Sequence, residues 1–113
     1  MSFRLGVRNG ISVIWLEEGV NATAATEVGH QIDELLEIGK TIMIIDVSKA
    51  KYVDTNGLKL LLSIKRKCEE NSGSMTVVCN DNSRVRRSFE LTGLDATLSV
   101  HNNMEEAIVS ITG

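Results

Sequence analysis

A chain of 113 residues is near the common size of one folding unit and long enough to bury a core without disulfides or a structural metal. Its 42% hydrophobic and 24% charged content is that of an ordinary globular protein, which excludes the disordered and fibrous classes. A net charge of −3, with basic runs only at Lys65-Arg66-Lys67 and Arg84-Val85-Arg86-Arg87, excludes the basic footprint that nucleic acid requires.

An apolar run such as Ile42 to Ile45 is far too short to span a bilayer, and Met1-Ser2-Phe3-Arg4 lacks the charged-then-apolar layout of a signal peptide. A cytoplasmic location without membrane contact is therefore expected. Cys68 and Cys79 fall on different predicted elements and form no spaced framework, so both are read as free thiols with packing roles.

In chain order, two strands are predicted at Arg4 to Arg8 and Ile11 to Glu17. Asn9-Gly10 between them supplies the positive φ of a tight hairpin. In the second strand Ile11, Val13 and Trp15 point one way and Ile14 and Leu16 the other, so both faces need cover. From Thr23 to Ile38 the residues Ala25, Val28, Ile32, Leu35 and Leu36 recur at helical spacing, and Gly39 follows as a C-cap. Thr41 to Val47 is apolar on both faces and β-favouring, the pattern of a central parallel strand.

A helix is predicted from Gly57 to Glu70, a strand from Met75 to Asn80, and a helix from Ser83 to Thr92 ended by Gly93. A brief strand Leu98 to His101 and a helix Met104 to Ile111 complete the chain. The alternation predicts an α/β domain over 1–113, with a mixed, mostly parallel sheet of about five strands and four helices.

Function in such sheets gathers at the carboxyl ends of strands, where the central strand runs into the loop Ser48 to Asn56. Asp54, Thr55 and Asn56 are residue types that cap helices, and Gly57 permits close backbone approach. On pattern alone this segment reads first as a well-capped helix start; the sharper reading makes Thr55 a hydroxyl held where the helix N-terminus welcomes a phosphate. On a helical wheel Leu58, Leu60, Leu61, Leu62, Ile64 and Cys68 spread over roughly 200°, wider than the ~100° stripe that faces a core. Leu60 and Ile64 at one margin are then candidates for an apolar surface offered to a partner; the alternative is a helix tucked deeper than usual.

Catalytic machinery is not visible in the chain. His30 and His101 belong to no cluster with metal-ligand spacing. There is no Gly-x-Ser-x-Gly elbow, no phosphate loop ending in Lys-Ser/Thr and no dinucleotide fingerprint. No enzyme activity, metal or cofactor is expected.

The stretch Ile44-Ile45-Asp46-Val47-Ser48-Lys49-Ala50-Lys51-Tyr52-Val53-Asp54-Thr55-Asn56-Gly57-Leu58 resembles the STAS domain of anti-sigma factor antagonists. There an apolar strand ends in Asp-hydrophobic-Ser, and an aromatic-hydrophobic-Asp-Ser-Ser/Thr-Gly-Leu segment opens the next helix. Ser83 to Leu94, with Phe89-Glu90-Leu91-Thr92-Gly93-Leu94, resembles the family's later helix, and the element order matches over nearly the whole chain.

The resemblance implies a STAS-like fold and partner switching. A cognate anti-sigma factor that is also a GHKL-type Ser/Thr kinase phosphorylates the residue after the motif's Asp, which is Thr55 here, and a PP2C-type phosphatase reverses the change. The unphosphorylated form binds the kinase, with Asn21, Asp54, Asn56 and Gly57 as the acceptor's setting, and the free protein is expected to be monomeric. Where the family has Ser this chain has Thr55, Asn56 stands where Ser or Thr is usual, and neutral Asn21 replaces an Asp near the acceptor. Two other readings stand beside this one: a STAS scaffold that binds its partner without modification, and a small-ligand carrier using the crevice beyond the central strand.

Overall fold

The structure is a computed structural model that describes residues 3–81 and 83–112. Strands β1 (Phe3–Arg8) and β2 (Ile11–Leu16) form the predicted hairpin, with Asn9 and Gly10 at φ 52° and 78° in a two-residue turn. Next come β3 (Glu18–Val20), α1 (Ala22–Glu37), β4 (Ile42–Asp46), β5 (Ala50–Val53) and α2 (Thr55–Glu70). After them follow β6 (Ser74–Val78), α3 (Arg84–Thr92), α4 (Leu94–Thr97), β7 (Val100–His101) and α5 (Met104–Thr112).

Five strands make one sheet in the order β1-β2-β4-β6-β7, antiparallel only between β1 and β2. The apolar run at β4 is its middle strand, and Met43, Ile44 and Ile45 are fully buried there. Helices α1, α2 and α3 cover one face, where Ile14, Leu16, Val28, Ile32, Leu61 and Phe89 share the main core. On the other face α5 covers Ile11, Val13, Ile44 and Val78. Both faces of β2 are thus covered, as its two-sided apolar pattern requires. No described helix is long and apolar enough to cross a membrane.

Helix α1 ends in a Schellman turn. Gly39 (φ 82°) donates to Leu36 O at 3.0 Å and Lys40 N donates to Leu35 O at 2.9 Å, satisfying carbonyls that the last turn leaves open. Cys68 and Cys79 are unpaired and buried. Burial, and then the charge of Glu69, pushes the Cys68 thiol up to about 11, and burial also raises Cys79 against the opposing effect of its hydrogen bond with Ser83.

The structure has more elements than the periodicity predicts. Short helix α4 follows Gly93, and β3 and β5 pair in parallel as a separate two-stranded sheet. The stretch expected to be loop, Ser48 to Asn56, contains β5 and the start of α2. Four- and three-residue strands are too short to register as a period in sequence, and their pairing lies across a gap of about thirty positions that only the fold closes.

Candidate functional site

The small β3–β5 sheet carries the chain directly to the head of α2. Asp54 caps that helix: its Oδ1 accepts from Gly57 N at 2.9 Å and its carbonyl from Leu58 N at 2.9 Å. Helix α2 therefore starts at Thr55, two residues earlier than expected. Thr55 is its first residue and is exposed, as is Asn56, while the N–H groups of that turn have no partner within the helix.

Gly57 is buried, and its position is set by β3. A Cβ at residue 57 would collide with the carbonyl oxygen of Val20 and lie 2.9 Å from Val53 Cγ1. The same Val20 carbonyl accepts from Asp54 N at 3.1 Å, so β3 locks the turn from below. Close approach is the reason for glycine here, since Gly57 has ordinary helical φ.

Asn21 follows Val20 and caps α1, its Oδ1 accepting from Ala24 N at 3.2 Å. Its Nδ2 donates to the Tyr52 hydroxyl at 2.8 Å, tying the head of α1 to β5 three residues before Thr55. Tyr52 lies across Gly19, where any side chain would strike the ring, and remains 47% exposed. Beside it Lys51 pairs with Glu18 at 3.1 Å on the surface. Tyr52, Gly19 and Val20 are not singled out as site residues by the sequence; the aromatic before Val53-Asp54 and the Gly19-Val20-Asn21 run are visible there, but the contacts between them are not legible.

The structure brings Asn21, Asp54, Thr55, Asn56 and Gly57 to one edge, where α1 and α2 both begin. It corrects the expectation for Leu60 and Ile64 as an exposed apolar margin. They are only 7% and 1% exposed, because α2 packs against both the sheet and α1 and so needs a wide apolar arc. His30 is exposed and His101 half-buried on β7, far apart in the element order. Among the described residues no three His, Cys, Asp or Glu side chains converge to hold a metal ion.

What this geometry offers is a rigidly mounted, solvent-facing hydroxyl at the positive end of a helix. Residues 2–107 match the family profile of the STAS domain, and the chain belongs to that family. It is 27% identical over 105 residues to the anti-sigma-F factor antagonist RsfB of Mycobacterium tuberculosis, covering 93% of this chain and 84% of RsfB. An anti-sigma factor antagonist from Mycobacterium paratuberculosis superposes with a TM-score of 0.84 at 22% identity, over 98% of this chain and 93% of the other. The phosphorylated form of the Bacillus cell fate determinant SpoIIAA superposes with a TM-score of 0.74 at 22% identity, over 98% and 99%. At such identities the two structures establish the shared fold.

Proposed function

We propose that this chain is an anti-sigma factor antagonist that works by partner switching. Unphosphorylated, it binds a cognate anti-sigma factor that is also a GHKL-type Ser/Thr kinase; phosphorylation of Thr55 releases it, and a PP2C-type phosphatase restores it. The observation that carries this reading is the exposure of Thr55 at the head of α2, on a turn held by Asp54, Gly57 and Val20. The naming of RsfB as an anti-sigma-F factor antagonist supports the same class.

A phosphate adds about −1.5 to −2 charge, and at its own helix N-terminus that charge is tolerated, so the fold survives. The complex does not, because a strongly hydrated dianion must lose water to enter a close interface and meets repulsion from any partner carboxylate. Asn21 in place of an acid leaves one negative charge fewer beside the acceptor.

Incubation with the cognate kinase and ATP is expected to add one phosphate, lost in Thr55→Ala; equal labelling of that variant overturns the assignment. Thr55→Glu is expected to weaken kinase binding, whereas unchanged affinity favours a scaffold that binds without modification.

A further inference from the structure

The two edges of the five-stranded sheet differ. At one end β7 is only two residues long, Val100 and His101, too short to recruit another strand. At the other, β1 runs six residues in unbroken register with β2 and, among the described residues, pairs with no strand on its outer side. Proteins usually blunt so long an edge with proline, lysine or a bulge, and β1 holds none of these.

The hairpin fixes which backbone groups face outward. In a two-residue turn the flanking pair, here Arg8 and Ile11, is hydrogen-bonded, and bonded pairs recur at every second residue. Arg8, Gly6 and Arg4 therefore direct their N–H and C=O groups to β2, while those of Val7, Leu5 and Phe3 point away from the sheet. The side chains of this outward set share the face of the main core: Phe3 is buried in it, and Leu5 and Val7 are 46% and 63% exposed.

We infer that β1 pairs antiparallel with β1 of a second copy about a two-fold axis at Leu5, joining the two sheets edge to edge. That register sets Leu5 against Leu5 and Phe3 against Val7 of the second copy, so every outward N–H and C=O of Phe3, Leu5 and Val7 finds a partner. An axis at Gly6 would instead carry Phe3 beyond the end of the other strand and set Arg4 directly against Arg8 of the second copy, a repulsive pair.

Charge agrees with the axis at Leu5, which places Arg4 opposite Gly6 of the second copy, where no charge opposes it. Within each chain Arg4 and Arg8 are drawn back over the Trp15 ring, 5.4 and 5.5 Å from its centroid, and Arg4 also pairs with Glu17 at 3.5 Å. Gly6 permits this stacking, since a Cβ there would lie 2.8 Å from Trp15 Cζ3. The cations are thereby held over the sheet instead of past its edge.

A six-residue strand is about 20 Å long. Pairing along it falls near the lower end of specific interfaces, roughly 1,000 Å² in total, so the dimer is reversible and depends on concentration. Because β7 cannot extend the sheet further, association closes at two copies. The contact uses no residue of the Thr55 turn and holds whether or not Thr55 is a switch. It replaces the monomer that the family resemblance implies for the free protein.

Sedimentation equilibrium of the full chain tests the pairing. The mean mass is expected to rise from one chain toward two across the micromolar range; the mass of one chain throughout overturns it. Leu5→Lys sets like charges at the axis and is expected to weaken association about tenfold or more, while Val109→Lys, at a site 64% exposed on α5, leaves it unchanged. Leu5→Cys is expected to form a disulfide between copies under mild oxidation and Arg8→Cys is not, since only residues at the axis lie within disulfide reach of their own copies. Cys68 and Cys79 are buried and do not compete. Unaltered association in Leu5→Lys, or cross-linking no greater in Leu5→Cys than in Arg8→Cys, places any dimer contact elsewhere and overturns the assignment to β1.

Discussion

Two glycines near the Thr55 edge stand in opposite surroundings. Gly57, at the head of α2, is pressed against the Val20 carbonyl with no space for a methyl group, whereas Gly29, midway along α1, faces an empty groove. One glycine serves the fold and the other serves nothing inside the chain. The contrast separates a closed junction, whose geometry aims Thr55, from an open surface that neighbours it.

The sharpest way to break this comparison is to place alanine at both positions. Gly57→Ala forces β3 and α2 apart and is expected to cost about 3 kcal/mol, a fall in Tm of roughly 12 °C. Gly29→Ala is expected to raise stability by about 1 kcal/mol, roughly 4 °C. Equal effects in thermal denaturation would erase the distinction between the two regions.

A second probe lies deeper under α2. Because the folded Cys68 thiol sits at about 11 against an ordinary 9.0, its contribution is intact below pH 9 and is lost as pH rises toward 11. The expected loss is about 2 kcal/mol across that window, with the slope reduced in Cys68→Ala; a flat alkaline profile by urea denaturation would show the site to be wetter than its burial implies. A smaller loss is expected at the cap. Asp54→Ala is expected to cost about 1 kcal/mol by removing the acceptor of Gly57 N, and hydrogen exchange should quicken in the first turn of α2 rather than its last.

Much of the fold was legible because its signals are local. The Asn9-Gly10 turn, the helical spacing from Ala25 to Leu36 with Gly39 behind it, and the two-sided apolar run at β4 each draw on neighbouring residues only. The candidate site was legible in part for the same reason. Asp54 caps the residues that follow it, and Gly57 announces a close contact without saying with what. At Leu60 and Ile64 two readings stood open, since a wide apolar arc is equally the mark of an exposed margin and of a helix wedged between a sheet and a second helix, and burial decides for the second.

From residue order alone came an alternating α/β domain, its central strand, its helix ends and Thr55 as the hydroxyl at a helix head, because propensity, period and capping act over a few positions. Tertiary structure decided the rest: the β3–β5 sheet, the Asn21–Tyr52 bond, the Val20 contact that demands Gly57, and the groove that begins beside Thr55. These join residues about thirty or more positions apart, and no local preference encodes which distant surface will arrive opposite.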